Sequence, residues 1–308
     1  MNPTCEKILY EVKKAVSGKD EVLFLCLSAI LSNGHILIED IPGVGKTTIA
    51  LAFSKAMSLD YGRVQFNPDV LPSDITGFSV YKKETGSFEF TKGAVFSNLF
   101  LADELNRATS RTQSALLEAM EEGQVTVDGV THILPKPFIV IATQNPTGAA
   151  GTQLLPDSEV DRFSLRLTIG YPSLEAEREL LKRRQGKNPL DDVRSVVTSD
   201  TIVLMQNEVS KVFVHPEISD YIISLIRATR KHEGVIRGAS PRATLSLTSL
   251  SKAVAYIMGR DFVTPYDIKN VLVPAIAHRL LPDSAEDRMK ASRKITESIF
   301  EKIPAPKV

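Results

Sequence analysis

The chain has 308 residues, 43% of them hydrophobic, and its 37 basic and 37 acidic side chains cancel to a formal net charge of zero. This length exceeds one typical domain and this composition supplies a large core, so two packed units are expected and a disordered chain is excluded. A neutral total argues against a constitutive nucleic-acid coat, because such binding rests on concentrated Lys and Arg.

The two cysteines, Cys5 and Cys26, have no metal-ligand spacing and are too few for a disulfide framework, so they read as reduced thiols. MNPTCEKILYEVKK at the N-terminus mixes both charge signs and lacks a signal-peptide apolar core. The longest apolar run, VLFLCLSAIL at 22–31, is too short to cross a bilayer. A cytoplasmic protein without membrane insertion is the expectation.

An apolar face at Ile8, Leu9, Val12, Ala15 and Val16 predicts an amphipathic first helix. A second is expected from about Lys19 to Ser32, ending at Asn33-Gly34, residues that accept a left-handed turn. HILIE at 35–39 reads as a strand, followed by a loop and a helix over 46–58. Further strands are expected at 63–66, 98–104, 137–143 and 164–169, with helical patterns between several of them. Short, nearly continuous apolar strands alternating with helices predict an α/β fold with a parallel sheet covered on both faces.

Two segments break the alternation. GQVTVDGVTHIL at 123–134 alternates around Asp128-Gly129, a hairpin signal, and residues 78–90 predict a looser hairpin turning near Thr85-Gly86. After Tyr171-Pro172 only helices are expected, at about 173–184, 200–212, 216–231, 241–259, 265–278 and 286–302. The reading is therefore an α/β domain over 1–172 and a helical domain over 173–308.

The stretch IEDIPGVGKTTIA, residues 38–50, joins the HILIE strand to its helix. A phosphate-cradling turn needs inward-pointing N–H groups and a helix N-terminus directly after it. Gly43 and Gly45 supply permissive backbone at the tightest part of the turn. Lys46 brings a point charge to the β- and γ-phosphates, and the Thr47 hydroxyl is a magnesium ligand. Asp40 stands where the general pattern G-x-x-x-x-G-K-[ST] has glycine, at the strand exit. It is tolerable there provided its charge points away from the phosphates.

LFLADE at 99–104 ends an apolar strand in two carboxylates, at the edge where such sheets bind ligands. In that position Asp103 suits the magnesium shell, and Glu104 suits orienting and deprotonating an attacking water. FIVIATQNP ends a third strand in Thr143, Gln144 and Asn145, of which Asn145 is placed to reach between the γ-phosphate and that water; otherwise it caps a turn.

These motifs, with VQFNPDVLPSDITG, LNRATSRTQSALLEAMEEGQV, DRF and GASPRA, resemble the MoxR branch of the AAA+ ATPases in family order and over nearly the whole chain. The resemblance implies an AAA+ αβα sandwich with a helical lid, and Mg-dependent ATP hydrolysis in a homo-oligomeric, hexameric ring. It also implies chaperone-like remodelling or metal-cofactor insertion with a partner carrying a von Willebrand factor A domain. Pro42, Gly43, Val44, Gly45, Lys46, Thr47 and Thr48 correspond to the Walker A loop, Asp103 and Glu104 to Walker B, and Asn145 to sensor 1. Arg162 of DRF corresponds to the arginine finger acting in trans, and Arg242 of GASPRA to sensor 2. Gly18 falls where the family contacts adenine, and the two hairpins match elements facing the ring's pore. The segment TGAAGTQLLPDSEV is less acidic than the corresponding linker of many relatives, which bears on how the finger is held.

The arginines also have local readings. Arg162 beside Asp161 forms an exposed ion pair in one of them, and Arg107 and Arg166 are rival fingers. Ser240 as N-cap and Pro241 at the first helical position put Arg242 in a first helical turn, facing a phosphate across the domain cleft or paired with a nearby carboxylate. A DNA-associated motor, a monomeric kinase and a nucleotide-gated scaffold with little turnover are the competing functions. Hairpin 123–134 has no Lys or Arg, which argues against the first.

Overall fold

The structure is a computed structural model that describes residues 1–145, 155–183 and 188–307. Chain order runs α1 (Pro3–Ala15), α2 (Asp20–Leu31), β1 (Ile36–Glu39), α3 (Lys46–Ala56), β2 (Tyr61–Gln65), α4 (Pro72–Thr76), β3 (Gly77–Lys82) and β4 (Ser87–Lys92). It continues through β5 (Leu99–Asp103), α5 (Ser110–Glu122), β6 (Gln124–Val127), β7 (Val130–Ile133), β8 (Ile139–Gln144), α6 (Asp157–Val160), β9 (Leu165–Leu167) and α7 (Leu174–Arg183). The remainder is α8 (Ser199–Lys211), α9 (Pro216–Lys231), β10 (Val235–Arg237), α10 (Pro241–Ile257), α11 (Pro265–Ile276), β11 (Leu281–Pro282) and α12 (Arg288–Lys302).

Strands β2-β5-β8-β1-β9 form a parallel sheet in that order. Successive strand residues point to opposite faces, and here both faces are covered. Ile36, Ile38, Leu99, Leu101, Ile139 and Ile141 enter one apolar cluster, while Leu37, Phe100, Ala102, Val140 and Ala142 enter another. That double burial is why these strands read as continuous apolar runs. Fully buried Phe53 and Phe100 each contribute roughly 1.5–3 kcal/mol of transfer free energy.

The cluster on the α1–α3 face continues into Leu225, Leu247, Leu250, Val271 and Ile276 of the helical region. Polar ties accompany this packing: the Asn2 N–H donates to the Ile257 carbonyl (2.7 Å), and the Gln206 amide to the Ile30 carbonyl (2.8 Å). The region after Tyr171 is not helical throughout, because β10 and β11 pair as a short antiparallel ribbon. Two and three residues are too few to leave a periodic trace in the sequence.

Both hairpins form. β6 and β7 join through Asp128 (φ 50°) and Gly129 (φ 78°), the two left-handed residues such a tight turn needs. β3 pairs with β4 across 83–86. The two ribbons touch where Phe90 stacks on His132, ring centroids 3.7 Å apart. Cys5 and Cys26 are buried free thiols, each pushed up to about 12 by burial. Among the described residues no helix is long and apolar enough to cross a membrane.

His35 opens β1 and holds its neighbours in place. Its Nε2 donates to the Met120 carbonyl (3.0 Å), and its Nδ1 accepts the Val140 N–H (3.0 Å). This geometry requires the neutral ring, and burial lowers its pKa from 6.5 to about 4. The unfolded chain therefore takes up a proton that the folded one excludes, so stability falls as pH drops from 6.5 toward 4. The expected slope from this group is about 1.4 kcal/mol per pH unit. Denaturant unfolding of wild type and His35→Gln across that range should differ by this slope, and parallel curves would refute it.

Candidate functional site

Adjacent parallel strands β1, β5 and β8 end at one level, and their ends carry the polar residues. Glu39 pairs in register with Gln144, and the Asp40 N–H continues the ladder to the Gln144 carbonyl (3.3 Å). The loop after β1 turns through Gly43 (φ 86°) and Gly45 (φ 97°), and α3 begins at once with Lys46. No atom lies within 4 Å of where a Cβ would sit on either glycine. The loop is thus an open cradle leading into a helix N-terminus, where backbone N–H groups and the helix dipole favour an anion. Pro42 and Gly43 are exposed, while Thr47 and Thr48 are half-buried in the first turn.

The Lys46 ammonium donates to the Asp40 carbonyl. Desolvation lowers its pKa, opposed by the nearby charges of Asp40, Asp103, Glu104 and Glu39. The side chain of Asp40 turns away from the cradle. Its Oδ1 accepts the Ile41 N–H (2.8 Å), and its Oδ2 accepts the N–H groups of Ile169 (2.7 Å) and Gly170 (2.6 Å). β9 ends at Leu167 and not at residue 169, whose amide serves the Asp40 carboxylate.

Asp103 closes β5. Its Oδ1 accepts the Thr143 hydroxyl (2.7 Å) and its Oδ2 accepts Arg63 Nη2 (2.7 Å). The same Thr143 oxygen accepts the Glu104 N–H (2.9 Å), so one hydroxyl from β8 holds both acids of the pair. Glu104 has a left-handed backbone (φ 58°), and its carboxylate pairs with Arg107 Nη1 (2.8 Å). A non-glycine residue held in that region costs of order 1–3 kcal/mol and marks positions the surrounding structure dictates. The Asn145 carbonyl accepts Asn106 Nδ2 at 3.5 Å. Gln144 and Arg166 both bond Glu39. Arg166 is engaged within its own sheet with little of its side chain exposed, whereas Arg107 pairs with Glu104 yet stays exposed, so of the two rival fingers only Arg107 reaches the surface.

Of the remaining arginines, Arg162 departs from its local reading and Arg242 takes the carboxylate-paired one. Asp161 does not pair with Arg162. It accepts Ser240 Oγ (2.9 Å) and the buried Arg279 Nε (3.4 Å) from the helical region. Ser240 thus stands at the N-cap position of α10 without capping it, because its hydroxyl is spent on Asp161. Asp157 likewise takes Arg288 Nη1 (2.6 Å) and Arg237. Arg162 Nε instead reaches Glu121 at 3.4 Å, and Arg242 binds the other oxygen of the same carboxylate. Arg242 faces α5, not a cleft over its own phosphate loop. Both arginines line a cavity of about 930 Å³ whose described lining includes none of residues 40–48, 103 or 104.

Gly18 lies between α1 and α2 with φ 69°, and a Cβ there would come within 3.1 Å of the Ala176 Cβ of α7. Position and close packing both demand glycine. Residues 146–154, which include most of the linker ahead of DRF, lie outside the described residues. Three residues were missed as site members: Arg63, Thr143 and Glu121. Thr143 left a trace, a polar residue ending an apolar strand. Glu121 left none, being one of several glutamates on a helix.

The profile of the ATPase family associated with various cellular activities (AAA) matches residues 35–165, and that of the AAA lid domain matches residues 227–299. The chain is 38% identical over 287 residues to Chaperone MoxR1 of Mycobacterium tuberculosis, covering 90% of this chain and 76% of that one. It is 40% identical over 299 residues to YeaC of Bacillus subtilis, itself uncharacterized, covering 96% and 93%. A crystal structure from Cytophaga hutchinsonii, provisionally described as an ATPase, superposes with a TM-score of 0.91 at 38% identity, covering 99% of this chain and 96% of that one. With an open phosphate cradle, a paired-acid strand end and relatives of this kind over nearly its full length, the chain belongs to the MoxR family of AAA+ ATPases.

Proposed function

We propose that the chain hydrolyses ATP with magnesium at the carboxyl edge of the sheet, and that the site is completed by an adjoining copy. The observation that carries this reading is the arrangement Lys46–Asp103–Thr143–Glu104 beside an open cradle. The donor set fits the expected group: magnesium is held by few protein oxygens and takes the rest from phosphates and water, and Asp103 and Thr47 offer a carboxylate and a hydroxyl.

In this reading Gly43 to Thr48 hold the phosphates through backbone N–H groups, and Lys46 leaves the Asp40 carbonyl for the β- and γ-phosphate oxygens. Magnesium, when bound, neutralises charge on those oxygens. Glu104 releases Arg107 and takes the proton of the attacking water. Asn145 orients that water. Thr143 keeps Asp103 and Glu104 in fixed relation.

Arg162 and Arg242 share one carboxylate and open on a cavity apart from their own phosphate loop. That shared placement supports both acting on a neighbour's γ-phosphate, with Glu121 standing in for the anion. It favours a closed homo-oligomer, for which the family resemblance suggests six copies. Because Asp157 and Asp161 tie α6 to the helical region, loss of the γ-phosphate contacts is felt by residues 173–308 of the copy that supplies the arginines. The hairpins expose Tyr81, Phe88, Val130 and Ile133, a surface suited to a polypeptide client more than to a phosphate backbone. Remodelling of a partner protein fits the relative named as a chaperone, and a cytoplasmic location rests on the sequence reading. A von Willebrand factor A partner and a metal-insertion role rest on the family resemblance.

Glu104→Gln should bind ATP and lose turnover by about 10²–10⁴-fold; retained hydrolysis would remove Glu104 from its role. Thr143→Val, close in shape, should lower kcat by about 10–100-fold, as supporting residues do, with ATP binding preserved. Mixing Arg162→Ala with Glu104→Gln subunits should recover part of the activity that each lacks alone. No recovery in mixed assemblies would refute a site shared between copies.

A further inference from the structure

Asp40 departs from the general phosphate-loop pattern, and a residue merely tolerated at that point would be exposed. It is instead 6% exposed, with three N–H groups on its carboxylate. Bonds of this kind, with one partner charged, are about twice as strong as neutral ones. Two of the donors are Ile169 and Gly170, which lead from β9 toward α7. The same segment is gripped from its carbonyl side. Lys19 Nζ donates to the carbonyls of Ile169 (2.6 Å), Gly170 (3.1 Å) and Tyr171 (2.7 Å). Both N–H and both C=O groups of Ile169 and Gly170 thus bond to side chains.

Lys19 follows Gly18, whose backbone packs against Ala176 of α7. The clamped segment therefore lies between the phosphate loop and the α1–α2 junction, where the family resemblance puts the base of the nucleotide. We infer that Asp40 is a positioning residue that joins the phosphate end of the nucleotide site to its base end, by holding residues 169–171 against the phosphate loop. The inference deepens the ATP-hydrolysis reading and rests on it for its effect on turnover. The Asp40 carbonyl is also the resting partner of Lys46, so both halves of one residue report on the loop. When Lys46 turns to phosphate oxygens, the carboxylate keeps the segment leading to α7 in step with the cradle. Glycine at this point leaves the phosphate contacts of residues 43–48 in place and removes the link.

The test compares wild type, Asp40→Gly and Asp40→Asn, each without nucleotide and with ATP. Hydrogen exchange read by mass spectrometry on peptides covering 165–173 should speed up at Ile169 and Gly170 by about tenfold or more in Asp40→Gly. It should change little in Asp40→Asn, whose amide oxygen still accepts those two amides. In turnover, Asp40→Gly should lose about tenfold or more in kcat, since small misplacements of bound groups cost that much. Its ATP affinity, measured with Glu104→Gln also present, should change by less than about threefold, and Asp40→Asn should recover most of kcat. Unchanged exchange at residues 169 and 170 in Asp40→Gly overturns the inference. So does faster exchange with unaltered kcat, or equal loss of ATP binding in both variants, which would reduce Asp40 to a counter-charge for Lys46. Should Asp40→Gly fail to fold, Asp40→Ser carries the test, since its shorter side chain does not reach both amides: faster exchange at residues 169 and 170 is expected, and unchanged exchange overturns the inference. If the wild type itself does not hydrolyse ATP, the functional reading fails while the exchange result still decides whether the link exists.

Discussion

The site depends on one constraint, the register of three adjacent parallel strands. Because β1, β5 and β8 end at the same level, residues far apart in sequence meet at their tips: Asp40 with Gln144, and Asp103 with Thr143. Slipping β8 by one residue would turn Thr143 to the opposite face and separate the two acids from their shared hydroxyl. The doubly buried apolar faces prevent that slip, since each strand residue is committed to one cluster or the other. The geometry of the candidate site is a by-product of core packing.

Charge is organised on the same principle. The chain is neutral overall, yet carboxylates concentrate at the sheet edge around Lys46, with arginines set one step further out. Arg63 faces Asp103, Arg107 faces Glu104 and Arg166 faces Glu39. Each of these three acids thus has a cationic partner, while the Asp40 carboxylate is held by backbone N–H groups. In the proposed reading, an arriving phosphate draws Lys46 from the Asp40 carbonyl, and Glu104 is released from Arg107. At the far face the logic reverses, with two arginines held by one glutamate.

Between the two faces runs α6 with the turn after it. Its apolar residues Val160 and Phe163 pack under the sheet, and its carboxylates Asp157 and Asp161 are taken by Arg237, Arg288, Ser240 and Arg279. The Phe163 carbonyl also accepts Arg279 Nη2 (2.8 Å). Arg162 is therefore carried on a bridge anchored in both regions.

Much of this was legible in the sequence where the signal is local. Strand periodicity, the Asp128-Gly129 turn, the glycines of the cradle, the acids ending β5 and the order of the helices all follow from neighbours within a few residues. Family resemblance supplied the expected role of Arg162 by position, while strand-end and helix-start chemistry also pointed to Asn145 and Arg242. What the sequence left open were pairings across long separations, which no local propensity encodes. Asp40 bonds Gly170, 130 residues away, and Arg242 bonds Glu121 across 121 residues. Asp161 and Arg162 do not pair because adjacency in the chain says little about direction: Asp161 turns to Ser240 and Arg279, and Arg162 to Glu121 of α5. The amino-acid sequence by itself determined which elements form and which chemical groups stand at their ends. Tertiary structure alone decided which of those groups face one another, because that depends on strand register and on how the helical region closes over the sheet.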